Sequence, residues 1–256
     1  MSPAPVSERA VSFGGVADSY DRYRPAPPAE AVEWMLCADT GRVVDICTGT
    51  GSLSRLLARR AGQVISVDLD TRMLAVLRSR SHGAAAVCAT GEILPFLTGM
   101  ADAVLVSSGW HWLDPERAIP EIARVTRPGG ILGVVWSGPD RRVAWVRDLL
   151  GGRHRRDGER TRNQRELSIP AGQPFGGPER RVIEWSLSRT ASELVGLAGT
   201  YSVVITSEPE ERDAVRRRAV ELTETHPTLQ GRSRVELPMR TLCWRAVRSG
   251  TPEPAR

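Results

Sequence analysis

The sequence contains no lysine, so all 35 basic side chains are arginine. That excludes Schiff-base chemistry and a lysine general base, because a guanidinium stays protonated at neutral pH. Cysteine is scarce too. Cys37, Cys47, Cys88 and Cys243 are scattered, with no Cys-x-x-Cys pair. This argues against a zinc site and a disulfide framework, and it fits a reducing cytoplasm. Long apolar runs are missing. Stretches such as Ile131–Trp136 fall far short of the length that spans a bilayer. Met1 to Glu8 has neither a charged n-region nor an apolar core, so no signal peptide is expected. The formal net charge of +5 is modest for 256 residues. These limits leave a cytoplasmic chain able to form one large domain, or one domain with a small cap.

What is present centres on Val43-Val44-Asp45-Ile46-Cys47-Thr48-Gly49-Thr50-Gly51. An apolar strand ends beside an acid and enters a Gly-x-Gly turn. A helix over Ser52–Arg60 follows, then a second apolar strand, Val64–Val67, ending in Asp68. Strand, glycine turn, helix, strand and acid make a nucleotide-binding βαβ unit. Asp68 is placed to accept the hydroxyls of a ribose. Asp45 separates the candidate ligands. An acid at the mouth of the loop repels a pyrophosphate and disfavours a dehydrogenase, but suits a cation. S-adenosylmethionine carries an ammonium and a sulfonium, has a ribose and lacks phosphate. The alternative is that Asp45 only caps the helix or braces the loop.

Three further blocks follow in order: Val64 to Leu74; Ala89-Thr90-Gly91-Glu92-Ile93-Leu94-Pro95-Phe96 with Ala101 to Val106; and Ile122 to Leu132, containing Pro128-Gly129-Gly130. With the first block they cover residues 40 to 137, and the chain resembles class I S-adenosylmethionine-dependent methyltransferases of the small, single-domain type. Ser12 to Pro25 and Trp110-His111-Trp112 are similar to segments of trans-aconitate methyltransferase-like enzymes. The resemblance implies roles. Asp45, Thr48 and the Gly49 and Gly51 backbone bracket the methionine part of the cofactor. Asp68 takes the ribose, Leu69 and Met73 wall the adenine, Thr90, Gly91 and Glu92 lie near its amine, and Ser107 lies near the methyl group. Two departures stand out. An aspartate is more usual than Thr90. Cys47 occupies the place of the first glycine, where a Cβ resists positive φ and lowers the expected cofactor affinity.

The alternation of strands and helices predicts an α/β fold with a parallel sheet covered by helices on both faces; the resemblance implies a Rossmann-like, doubly wound, mostly parallel seven-stranded sheet with an N-terminal helical lid. Residues 1–38 are expected to form the lid helices, 39–140 the cofactor-binding core, 141–248 the half completing the sheet and substrate pocket, and 249–256 a disordered tail. A helix is expected from Ser7 to Tyr20, broken at Gly14-Gly15. Another begins near Pro28 and runs to about Cys37. Asp114-Pro115-Glu116 starts a helix that ends before Pro128, with a kink or short first turn at Pro120. Val235–Leu237 and Leu242–Val247 supply the last strand or strands.

Trp110-His111-Trp112 follows strand 4 at the carboxyl edge of the sheet, where open α/β folds bind ligands. His111 is therefore the best-placed general base, or else a histidine that shapes the pocket. Tyr20 touches the cofactor or substrate, or packs the lid. Arg24 pairs with a substrate carboxylate, or is a helix-end charge. The arginine-rich run from 153 to 165 reads as a solvated loop, a clamp for an acidic substrate, or an RNA patch; Asp157, Glu159 and the lack of interleaved aromatics disfavour RNA. The expected activity is methyl transfer to a small molecule, such as a carboxylate or a specialised metabolite. No metal, membrane or nucleic-acid partner is expected, and the protein is a monomer or homodimer. The competing readings are an RNA or protein methyltransferase and a non-methylating binder of the same cofactor.

Overall fold

The computed structural model describes residues 11–151 and 166–250. The arginine-rich run, the first residues of the expected N-terminal helix and the tail beyond 250 lie outside the described residues. In chain order the helices and strands are α1 (Ala17–Tyr23), α2 (Ala29–Met35), β1 (Arg42–Ile46), α3 (Ser52–Leu57), β2 (Gln63–Asp68), α4 (Thr71–Arg80), β3 (Ala85–Cys88), β4 (Ala101–Ser107), α5 (Pro115–Val125), β5 (Thr126–Pro139), α6 (Ala144–Leu149), β6 (Glu179–Arg189), α7 (Ala191–Ala198), α8 (Ser202–Ile205), α9 (Pro209–Thr225) and β7 (Val235–Val247). Short 3-10 turns occupy Val11–Val16 and Trp110–Trp112.

The strands form one seven-stranded sheet in the order β3-β2-β1-β4-β5-β7-β6. Strands β1 to β5 pair in parallel, and β7 runs antiparallel between β5 and β6. This is the Rossmann-like sheet that the resemblance implies. Val43 to Ile46 are all buried, as expected for a parallel strand covered on both faces. Side chains alternate between two apolar layers. Val44, Ile46, Val104, Val106, Leu132 and Val134 meet Ile119 and Ile122 of α5 on one side. Val43, Leu105, Ile131 and Val135 meet α2 and α3 on the other. A third cluster joins α6, α7 and α9 to Val235, Leu237 and Met239. No helix among the described residues is long and apolar enough to cross a membrane.

Local chemistry sets the boundaries. The Asp70 carboxylate accepts the Arg72 N–H and starts α4, and Asp114 accepts the Glu116 N–H and starts α5. Thr190 and Glu193 form a reciprocal capping box at α7. One expectation needs correction. The helix after the glycine turn ends at Leu57, not Arg60; the Arg59 and Arg60 N–H groups reach back only three residues, to Leu56 and Leu57, tightening the end into a turn. Pro120 lies inside helix α5, exposed, while Ala118, Ile119, Ile122 and Ala123 anchor the helix in the core. Of the two readings left open for the last strand, the continuous one holds: β7 runs through Pro238, whose carbonyl accepts the Asp140 N–H.

The chain moves outward from β1 to β2 and β3, then returns to place β4 beside β1. The strand order reverses there, so the loops leaving β1 and β4 flank the crevice in which such sheets bind ligands.

Candidate active site

Asp45 lies within the buried run of β1, one residue before its end, and is itself 0% exposed. Its Oδ2 accepts from Ser54 Oγ at 2.5 Å and Thr48 Oγ1 at 2.8 Å. Ser54 Oγ lies 2.7 Å from Thr48 Oγ1 and 2.8 Å from Ser66 Oγ. The other carboxylate oxygen, Oδ1, is buried and meets no donor among the described residues. Loss of solvating water raises the Asp45 pKa from 3.8 to about 6, against the hydroxyl groups of Ser54 and Thr48, which favour the anion. The carboxylate also accepts a backbone hydrogen bond from Ser54 in the first turn of α3, so it braces the turn and the helix start, while Oδ1 meets no donor among the described residues.

The turn bends through left-handed backbone at Cys47 (φ 53°), Gly49 (φ 57°) and Gly51 (φ 84°). Cys47 thus adopts the conformation that its Cβ resists, at a cost on the order of 1–2 kcal/mol. Burial pushes its thiol well above the ordinary range, so it is no thiolate nucleophile. Its side chain packs against Gly109, in the loop after β4, where a Cβ would run into Cys47. Ser108, one residue earlier, is a second non-glycine residue at positive φ, at 55°. Gly109→Ala is expected to cost about 2 kcal/mol through overpacking. In a Cys47→Gly background it should cost less than half as much, as measured by urea unfolding in a double-mutant cycle. Equal costs in both backgrounds would show that the two loops are not coupled here.

Asp68 sits at the carboxyl end of β2. Its Oδ2 accepts the Gly49 N–H at 2.8 Å and its Oδ1 the Asp70 N–H at 2.9 Å, tying the two loops together. Burial raises its pKa. Leu69, next to it, is 39% exposed, as suits a wall for a flat ligand. Met73 is 5% exposed and lies beneath the turn, its Cε 3.8 Å from the place of a Gly49 Cβ. Thr90 forms an isolated bridge with Ile93. Gly91 lets its loop close down on Ile46 and Leu113, which a Cβ would strike. Glu92 accepts the Asp114 N–H at 2.9 Å and holds the start of α5. The structure therefore brings Asp45, Cys47, Thr48, Gly49, Gly51, Asp68, Leu69, Thr90, Gly91 and Glu92 to one edge of the sheet.

Ser107 ends β4 at the same edge, half-buried. Trp110 is buried in the core, and His111 is half-buried. The His111 ring lies 4.2 Å from that of Trp112 and 5.1 Å from that of Trp136, near the end of β5. Two tryptophans therefore fix the imidazole at the carboxyl edge.

The N-terminal segment lies across these loops. The backbone at Gly14 passes so close to Asp70 and Arg72 that a Cβ would clash. Asp21 pairs with Arg55 of α3 at 2.8 Å and with Arg80 of α4 at 3.5 Å. The Tyr23 ring covers Gly196 of α7. The Arg24 guanidinium lies 5.5 Å from the Tyr20 ring and 3.8 Å from the Tyr201 ring.

Sequence reasoning missed several of these residues. Ser54 and Ser66 left a trace: each is a hydroxyl flanked by apolar residues, between Leu53 and the Leu56-Leu57 pair in α3 and between Ile65 and Val67 in β2, and each is buried. Trp136 and Tyr201 left none, because only the fold carries them to the loops after β1 and β4.

The residues fit S-adenosylmethionine. The Asp45 carboxylate would favour the cofactor's ammonium and sulfonium charges, the space at Gly49 would admit a ligand, Asp68 has lone pairs that ribose hydroxyls could use, and the buried acid under the loop disfavours a phosphate. The known proteins agree. The sequence model of the family described as "Methyltransferase domain" matches residues 44–134. An uncharacterised methyltransferase of Mycobacterium tuberculosis (strain ATCC 25618 / H37Rv) is 41% identical over 240 residues, covering 94% of this chain and 97% of the relative. The fold is also that of a candidate type II methyltransferase from Anaeromyxobacter dehalogenans, with a TM-score of 0.64, 20% identity, and coverage of 90% of this chain and 100% of that one. It is shared by Haemonchus contortus phosphoethanolamine N-methyltransferase 2, solved with phosphomonomethylethanolamine and S-adenosylhomocysteine (TM-score 0.56, 16% identity, 96% of this chain and 59% of that one). By family, fold and the chemistry of its glycine turn, the chain belongs to the class I S-adenosylmethionine-dependent methyltransferases.

Proposed function

We propose that this enzyme methylates a small molecule in the cytoplasm, as a tailoring step on a specialised metabolite. The observation that carries the site assignment is the buried Asp45 carboxylate, with one oxygen committed to Thr48 and Ser54 and the other to no donor among the described residues. In this reading Asp45 holds the cofactor's amino group, and Asp68 accepts from the ribose while bracing Gly49. Leu69 covers the adenine, with Thr90, Gly91 and Glu92 at its rim. Ser107 and the loop after β4 border the transferring methyl.

Bound S-adenosylmethionine supplies an already activated methyl group for in-line displacement. The protein therefore has to align the acceptor and exclude water more than to activate an electrophile. His111 takes the proton of the acceptor's nucleophilic atom onto an imidazole nitrogen as the new bond forms. The segment carrying Tyr20 and Arg24 acts as the lid, its docking on α3, α4 and α7 closing the site to solvent. The similarity of Ser12–Pro25 and Trp110–Trp112 to trans-aconitate methyltransferase-like enzymes supports a small acceptor. The protein acts without nucleic acid, as a monomer or homodimer.

Calorimetric titration of the full chain with S-adenosylmethionine, S-adenosylhomocysteine and NAD tests this reading. The two sulfur nucleosides are expected to bind in the micromolar range, and NAD not at all. Asp68→Ala is expected to weaken both by roughly a hundredfold, because it removes a charge-assisted acceptor and frees the Gly49 turn. Unchanged affinity in that variant would sink the ribose assignment, and equal binding of NAD would sink the cofactor-site reading.

A further inference from the structure

Two arginines gather on one aromatic ring, and neither is in an ion pair among the described residues. The Arg24 guanidinium carbon stands 3.8 Å from the Tyr201 ring centroid, and that of Arg141 stands 5.8 Å from it. Arg24 donates to the Thr200 carbonyl at 3.2 Å, but its Nε is buried and meets no acceptor among the described residues. Neither arginine has a carboxylate partner among those residues, and the nearby acids are already taken. Arg142 holds Asp140 through several short contacts and pairs with Glu184, and Asp21 is held by Arg55 and Arg80. Two guanidinium groups gathered on one ring, neither with a carboxylate partner among the described residues, make a local excess of positive charge that an anion would neutralise.

Their position connects them to the reaction. The Tyr201 hydroxyl reaches to 3.9 Å from the place of a Cβ on Gly138. Gly138 and Trp136 are two residues apart on β5, so they face the same side of the strand. Trp136 is the residue whose ring lies 5.1 Å from His111. One face of the β5 end thus carries His111 at one point and the two arginines, through Tyr201, at the next.

We infer that Arg24 and Arg141, gathered on Tyr201, bind an oxyanion of the methyl acceptor, which is therefore an anionic small molecule anchored there and methylated at its other end beside His111. This rests on the methyltransferase site assigned above and names the class of its substrate. Tyr201 acts as a positioning residue, stacking the guanidinium groups so that their donors face the anion.

The test uses the full chain saturated with S-adenosylhomocysteine, in a low-salt buffer free of phosphate. It is titrated with benzoate, phenyl phosphate and neutral benzamide. Saturable binding of at least one anion is expected, with none for benzamide, and the stronger anion identifies carboxylate or phosphate as the preferred group. R24Q and R141Q should each weaken that binding by about tenfold, and R141Q should leave S-adenosylhomocysteine affinity unchanged. R141K should recover part of the loss. Because Arg24 also holds the Thr200 carbonyl, R141Q carries the test if R24Q fails to fold. The inference is overturned if benzamide binds as well as the anions, if no anion binds saturably, or if R141Q leaves anion affinity unchanged. Failure of S-adenosylhomocysteine to bind the parent chain would instead overturn the cofactor-site reading, so the two failures are distinguishable.

Discussion

Asp45→Asn is expected to make the ligand-free protein more stable at pH 7.5 while weakening S-adenosylmethionine binding by about a hundredfold. The two effects share one cause. The carboxylate is fully buried, and its pKa stands at about 6 in the folded chain against 3.8 in the open chain. A raised folded pKa means that folding favours the protonated form. Stability from this group is complete below about pH 4, falls as pH rises towards 6, and stays low above that. At pH 7.5 the buried charge costs about 3 kcal/mol by this linkage. Asparagine removes the charge but buries an amide N–H₂ where Oδ1 met no donor, which returns about 1–2 kcal/mol. The net gain of about 1–2 kcal/mol corresponds to a few degrees in Tm for a chain of this length, and it should vanish near about pH 5 and turn into a loss below it. Binding moves the other way, because the cofactor's cationic end loses the anion it needs. The parent enzyme should show the same dependence, with affinity falling towards tenfold per pH unit below about 6. Thermal melts and calorimetry at pH 5 and 7.5 measure both arms. A variant that binds normally would remove Asp45 from the cofactor site.

His111→Asn is expected to lower kcat by two to three orders of magnitude with S-adenosylmethionine affinity unchanged, in keeping with the loss of a general base. Asparagine is chosen because it keeps a polar group between Trp112 and Trp136 without accepting a proton near neutral pH. Once an acceptor is found among anionic candidates, pre-steady-state methyl transfer across pH 5–9 decides the matter. Turnover within a few fold of the parent would reduce His111 to a wall of the pocket.

The cofactor half was legible in the sequence because its signals are local. Val43 to Gly51, Val64 to Asp68 and the capping acids Asp70 and Asp114 each specify structure through neighbours a few residues away. The acceptor half was not. Tyr201 meets Arg24 across 177 positions of chain, and neither residue carries a pattern that announces the other. One boundary slipped where propensity and packing disagree: Ala58 to Arg60 are good helix formers left on a tight turn. Pro238 looks like a strand breaker until its free carbonyl finds Asp140. Cys47 was readable as a departure, but only the structure shows that it keeps the glycine-like backbone and leans on Gly109.

The place of β7 has a consequence for how the molecule is assembled during synthesis. Strand β6 pairs only with β7, and β7 is the strand that joins it to β5. Residues 179–189 therefore have no place in the sheet until the ribosome has delivered residues 235–247, whereas β1 to β5 can pair as soon as they emerge. The cofactor side is built from early, short-range pairings. The β6–β7 side waits for the last strand, and its long-range closure is the step expected to limit the folding rate.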